Sequence, residues 1–186
     1  MTKENCWLPE LLEYDTDSSW TDYERMLYVI YKHDFIETHP EFNKKQVNIR
    51  FQPIIDGYEE SFIHFTCRDY DATGKREPDF RRCERIRWIR AIIENYLCRK
   101  TCDETNCSGI KIWKEPYKMY KRIHFLFEDE RYLVILEERE DYCLLVTAYY
   151  LDYANALEKQ LKHYALYKAK DAPNGTSSET PSTTSR

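Results

Sequence analysis

The sequence predicts an α+β fold, and three observations carry that expectation. Several segments repeat apolar residues at helical spacing; others are short runs rich in β-branched and aromatic residues; and the strand-like runs are grouped, first two and then three in a row, instead of alternating strictly with helices. The chain has 186 residues, a length suited to one domain around one core.

Taken in order, residues 1–17 are weakly patterned, with Trp7, Leu8, Leu11 and Leu12 available to dock on the body. From about Ser19 to Glu37, Trp20, Tyr23, Leu27, Ile30 and Tyr31 fall on one helical face, and Thr21 with Glu24 offers a capping box. Val47 to Ile55 and Glu60 to Cys67 read as a β-hairpin around the turn signal Asp56-Gly57. Tyr70 to Glu77 is polar and reads as a loop, closed by Pro78-Asp79 at the start of an Arg-rich helix, Phe80 to Leu97. Arg99 to Gly109 reads as a cysteine-bearing surface loop. Arg122 to Phe127, Tyr132 to Glu138 and Tyr142 to Leu151 form a three-stranded antiparallel meander with short charged turns. Asn155 to Lys168 is a polar, one-sided C-terminal helix. A single domain over 18–170 is expected, followed by a disordered tail, 171–186, rich in Ser, Thr and Pro.

No run of about 18 apolar residues is present, so no membrane span is expected. The first residues lack the apolar centre of a secretory signal, which predicts a cytoplasmic chain whose seven cysteines are thiols. The formal net charge of −5 argues against a generic cationic coat for nucleic acid. Charge is nevertheless segregated. His64 to Phe125 carries 15 lysines and arginines against nine acids, a surplus of six on an otherwise acidic chain. Sixteen tyrosines exceed the needs of one core, so some are expected at a surface or groove.

On the Arg-rich helix, Ile86, Ile89 and Ile93 define the apolar face at 100° per residue; Arg82 falls on that face, with Arg85 and Arg90 on its shoulders. A guanidinium aimed at a core needs a carboxylate or a polar cleft, and Glu137 is one candidate partner. Strand alternation puts Phe62, His64 and Thr66 on one face, Arg122, His124 and Leu126 together, and Cys143, Leu145, Thr147 and Tyr149 together. A histidine, arginines, a hydroxyl and tyrosines in one concavity suit RNA cleavage without a metal: one group takes the 2′-hydroxyl proton, another protonates the leaving 5′-oxygen, and arginines hold the phosphate. A structural histidine on a strand is the competing reading of His64.

The segments Phe62-Ile-His-Phe-Thr-Cys-Arg-Asp69, Arg76-Glu-Pro-Asp-Phe-Arg-Arg-Cys-Glu-Arg-Ile-Arg-Trp88, Tyr132-Leu-Val-Ile-Leu136 and Leu144-Leu-Val-Thr-Ala-Tyr-Tyr150 together resemble the BECR ribonucleases, the superfamily of barnase, EndoU, colicin and RelE-like toxins, especially its phage- and mobile-element-encoded branches. The resemblance spans about Phe62 to Tyr164. It implies metal-independent endonucleolytic cleavage of RNA by a toxin or defence effector, with no cofactor and with an antitoxin or immunity protein as a further partner. It matches His64 to the family's early histidine, Arg85 or Arg82 to its basic group, Thr147 with Tyr149 to its late-strand hydroxyls, and Arg122 to an auxiliary phosphate ligand; Arg68 and Arg82 join Arg122 as expected RNA contacts. The insertion Cys98 to Gly109 and the acidic total charge depart from the family's simplest pattern.

Two rival readings stand beside it. Cys98, Cys102 and Cys107 offer three zinc ligands with Cys67 or His124 as a fourth, although paired CxxC knuckles are missing and loop thiols are the better reading. Alternatively the arginine helix and tyrosines form a non-catalytic module that docks nucleic acid or an acidic protein. Four scattered glycines supply neither a phosphate-cradling loop nor a dinucleotide fingerprint.

Overall fold

The computed structural model describes residues 6–68, 77–98 and 107–171. Most of the expected loop Tyr70 to Glu77, most of the cysteine-bearing insertion and all but the first residue of the expected tail 171–186 lie outside these residues. The fold is α+β. Helix α1 (Trp20–Lys32) runs on as one π-helical stretch, His33–Glu37. Then come β1 (Glu41–Phe42), β2 (Lys45–Asn48), a small ribbon of β3 (Ile54–Ile55) and β4 (Tyr58–Glu59), α2 (Glu60–Thr66), α3 (Phe80–Cys83) and α4 (Ile86–Glu94). The chain ends with β5 (Ile110–Tyr117), β6 (Tyr120–Phe127), β7 (Tyr132–Glu138), β8 (Tyr142–Tyr150) and α5 (Ala154–Asp171).

Six strands form one sheet in the order β1-β2-β8-β7-β6-β5, antiparallel throughout except that β2 runs parallel to β8. The expected meander is present and has one more strand, β5. Its Pro116 cannot donate to a ladder, and β5 lies at the sheet edge, where that loss is tolerated. The sheet is covered on both faces. On one side α1 contributes Tyr23, Leu27 and Tyr31, and α4 contributes Ile86, Ile89, Ile92 and Ile93, all packed on Ile123, Phe125, Tyr132, Val134 and Leu136. Each fully buried isoleucine contributes roughly 1.5–3 kcal/mol. On the other side Leu157, Leu161 and Tyr164 of α5 pack on Trp113, Leu126, Leu133 and Ile135. Burial from both sides explains why β7 reads as a continuous apolar run. Residues Trp7, Leu8, Leu11 and Leu12 pack against the first layer, fixed where Trp88 Nε1 donates to Pro9 O at 2.8 Å and Tyr23 OH donates to Leu12 O at 2.6 Å.

Three expectations change. The Asp56-Gly57 turn is real, with φ of 52° and 88° as a type I′ turn requires, but it joins only β3 to β4. Glu60–Thr66 is a helix, not the hairpin's second strand. Ser61, Phe62, Ile63, Phe65 and Thr66 are all buried, so the segment shows no polar stripe that would reveal its period; Ser61 Oγ bonds Tyr31 OH and donates to Arg50 O, both at 2.7 Å. The Arg-rich helix is broken at Glu84 and Arg85 into α3 and α4, so angles counted from Ile86 do not carry back to Arg82.

A bulge in β8 matters most for the site. Ile135 faces Thr147 whereas Leu136 faces Leu145, so Val146 is the extra residue. Cys143 and Leu145 therefore share a face with Ala148, and Thr147 and Tyr149 turn to the face covered by α5. The expected grouping of Cys143, Leu145, Thr147 and Tyr149 on one face does not survive the bulge.

Helix α5 is clamped to the sheet by Glu115, which accepts from Trp113 Nε1 at 3.1 Å and pairs with His163 Nδ1 at 2.5 Å, while His124 Nε2 lies 3.6 Å from its other oxygen. His124 stacks on Trp113 with ring centroids 4.7 Å apart. Burial pushes the His124 imidazole down to about 4, against the pull of Glu115 and with the added push of Arg122 and His163. Burial alone would raise the Glu115 carboxyl, but the His163 hydrogen bond and the neighbouring His124 hold it below the usual range. For His124 the unfolded chain takes up the proton first as pH falls. Its contribution is whole above about pH 6.5 and is lost progressively toward pH 4, by up to about 3 kcal/mol. Urea unfolding at pH 7 and pH 5 tests this: stability drops at pH 5, and His124→Phe flattens the dependence; an unchanged pH dependence in that variant refutes the assignment.

Candidate functional site: an arginine cleft

Where β2 stops pairing after Leu144, the C-terminal half of β8 has a free edge, and α2 and α3 pack against it. Beside this junction lies an open polar cleft of about 610 Å³ lined by Arg68, Asp79, Arg81, Arg82, Asp152 and Tyr153. Three elements deliver these side chains. Arg68 leaves the end of α2, Arg81 and Arg82 stand on α3, and Asp152 and Tyr153 occupy the turn from β8 into α5.

Asp79 organises the floor. As the N-cap of α3 it accepts from the main-chain N–H groups of Arg81 and Arg82, and its carboxylate lies 3.5 Å from Arg68 Nε and 3.6 Å from Arg82 Nε. Arg82 is the most enclosed of the three guanidinium groups, 18% exposed, and its Nη1 donates to the main-chain oxygen of His64 at 2.7 Å. Its guanidinium also sits 5.8 Å from the Tyr149 ring centroid. Burial raises the Tyr149 phenol above its ordinary value, opposed by the Arg82 charge. Arg81 is more exposed, pairs with Asp152, and lies 4.9 Å from the Tyr150 ring.

The residues expected from sequence divide accordingly. Arg68 and Arg82 line the cleft, Tyr149 lies against Arg82, and His64 is joined to Arg82 through its main-chain carbonyl, from a helix rather than a strand. Arg85 is turned elsewhere: it pairs with Glu84 at 3.2 Å, donates to Arg81 O, and lies 5.0 Å from both the Trp88 and Tyr150 rings. Thr147 faces Ile135 across the ladder on the α5 side. Arg122 is not a cleft residue; its guanidinium lies 3.4 Å from the Tyr117 ring and its Nε 3.8 Å from buried Glu137. The partner suggested for Arg82 thus belongs to Arg122 and Arg139. Sequence reasoning missed Arg81, Asp79, Asp152 and Tyr153. The helix-start signal at Pro78-Asp79 was the available clue to Asp79, while Asp152 and Tyr153 come from a turn with no pattern of its own.

As for the zinc alternative, Cys102 lies outside the described residues and His124 is stacked in the α5 interface. Among the described residues no three His, Cys, Asp or Glu side chains are grouped to hold a metal ion, and none of the described cysteines is in a disulfide. No described helix is long and apolar enough to cross a membrane. Comparison with known proteins returns no matching family model, curated protein or solved structure.

Proposed function

We propose that the chain binds RNA in the arginine cleft and cleaves it as a metal-independent endoribonuclease of BECR type, acting as a toxin or defence effector held in check by an antitoxin or immunity protein. The observation that supports this reading is spatial: α2, α3 and the end of β8, which carry three of the four segments resembling that superfamily, meet at one cleft through the Arg82 contacts to His64 and Tyr149. In this reading Arg68, Arg81 and Arg82 hold the scissile phosphate and stabilise the charge that grows on it. His64 exchanges protons with the reacting oxygens, and the protonated Tyr149 phenol donates a hydrogen bond. The ribose 2′-oxygen forms a bond to phosphorus as its proton passes to the base. The bond from phosphorus to the 5′-oxygen breaks as that oxygen gains a proton, leaving a 2′,3′-cyclic phosphate.

A second reading, a binding module without turnover, is favoured by one feature: the described residues that line the cleft carry guanidinium, carboxylate and phenol groups, and no imidazole is among them. Incubating the protein with total RNA in EDTA separates the two. Fragments ending in cyclic phosphate support the nuclease; a mobility shift without fragments supports the module. For the nuclease, His64→Ala lowers the cleavage rate by about 10²–10⁴-fold with RNA affinity little changed. Cleavage at the original rate removes His64 from the chemistry.

A further inference from the structure

We propose that the cleft is selective for single-stranded nucleic acid because Tyr153 is a stacking platform for one base at its rim. The inference rests on the cleft binding a phosphate-bearing chain and adds the form that chain must take. Among the six lining residues the exposures are graded: Arg82 lies deepest, Arg68 and Arg81 are about half to two-thirds exposed, and Tyr153 is 75% exposed. A tyrosine this exposed in a fold that buries or half-buries most of its aromatics contributes little to the core. Its main chain is nonetheless anchored, because the Tyr153 main-chain oxygen accepts from Ala156 N at 3.0 Å and Leu157 N at 3.3 Å and so opens α5. That helix start, next to Asp152, which pairs with Arg81, sets Tyr153 in the same cleft lining as the guanidinium groups.

Guanidinium groups and one adjacent aromatic face form a matched pair of subsites. The cations take the phosphate without regard to sequence, and the ring takes the face of the attached base, which every base possesses. Among the described lining residues three arginines stand against two carboxylates, a cationic balance on an acidic chain that suits an anionic ligand. A volume of about 610 Å³ lies within the range of sites for small organic ligands and accommodates a single unit of a chain. In a duplex the bases are already stacked on one another and have no face to offer, so a duplex reaches only the phosphate half of the site.

The test uses the full chain and three probes: a single-stranded 2′-O-methyl oligonucleotide, which has no free 2′-hydroxyl to react, the same sequence as a duplex, and inorganic polyphosphate. The single strand binds most tightly. Tyr153→Ala weakens it by about 5- to 100-fold, Tyr153→Phe restores it, and polyphosphate binding is the same in all three proteins. Equal affinity for single strand and duplex, or a single-strand affinity unaffected by Tyr153→Ala, overturns the stacking platform while leaving a phosphate cleft intact. If Arg82→Gln fails to weaken any probe, the cleft reading itself falls, and the platform with it.

Discussion

On the proposed endoribonuclease activity, replacing Arg82 with glutamine is expected to lower RNA cleavage by about 10²–10³-fold, the largest functional effect of any cleft residue outside the proton-transfer group. Three features concentrate the effect there. The guanidinium is the most enclosed in the cleft, so its charge acts through less water than those of Arg68 and Arg81, which are 67% and 53% exposed. It is fixed before any ligand arrives by the His64 carbonyl, the Asp79 carboxylate and the Tyr149 ring, so no reorganisation opposes its action on a developing charge. It also joins α2 to α3, and a shift of α2 moves His64. Arg82→Lys keeps the charge but cannot fork to both the His64 carbonyl and Asp79, so it recovers only part of the loss. Arg81→Gln costs less, near tenfold, since that side chain is exposed and already shared with Asp152. The measurement is single-turnover cleavage at saturating protein, with thermal melting run in parallel to show that the variants are folded. Equal losses for Arg81→Gln and Arg82→Gln contradict the ranking by enclosure.

How far the sequence reveals this arrangement depends on the distance over which each feature is encoded. Periodicity, helped by turn residues, is local, and it reads well for α1, β6, β7 and β8, which appear close to their expected bounds, whereas the expected helix Phe80 to Leu97 is two helices. It misleads for α2, where five of seven residues are buried and the apolar run carries no period that distinguishes strand from helix. A single added residue in β8 is likewise silent in the sequence, yet it moves Thr147 and Tyr149 to the opposite face. The physical argument that Arg82 needs a carboxylate or a polar cleft does not depend on the angular count, and Arg82 has both. The identity of the carboxylate is another matter. Asp79 is three residues away and Glu137 fifty-five, and only the fold decides between them.

Glu137→Gln is expected to destabilise the protein by about 3 kcal/mol and, on the proposed activity, to leave the rate of RNA cleavage by the folded fraction unchanged. Glu137 is 5% exposed, on the face of β7 that also receives Arg122 from β6 and Arg139 from the turn before β8. Its carboxylate contacts Arg139 Nη2 through one oxygen and lies 3.8 Å from Arg122 Nε through the other. The two guanidinium groups are covered on their far sides by tyrosine rings, Arg122 by Tyr117 at 3.4 Å and Arg139 by Tyr120 at 3.5 Å. These tyrosines face each other across the β5–β6 ladder. Neutralising the carboxylate leaves two partly buried cations beside one another with no counter-charge, which for buried pairs costs ~3–5 kcal/mol. The lower end applies because each arginine is about one quarter exposed. For a chain of this size the loss corresponds to a fall in Tm of roughly 6–12 °C. Arg122→Met in the same background recovers part of it, since an unbranched apolar side chain still covers Tyr117 and removes one of the unpaired charges. Arg122→Gln alone then decides what Arg122 is for. Lower stability with normal RNA affinity fits its pairing with Glu137, whereas a loss of RNA affinity at unchanged stability restores it as a phosphate ligand and extends the nucleic-acid contact across the sheet.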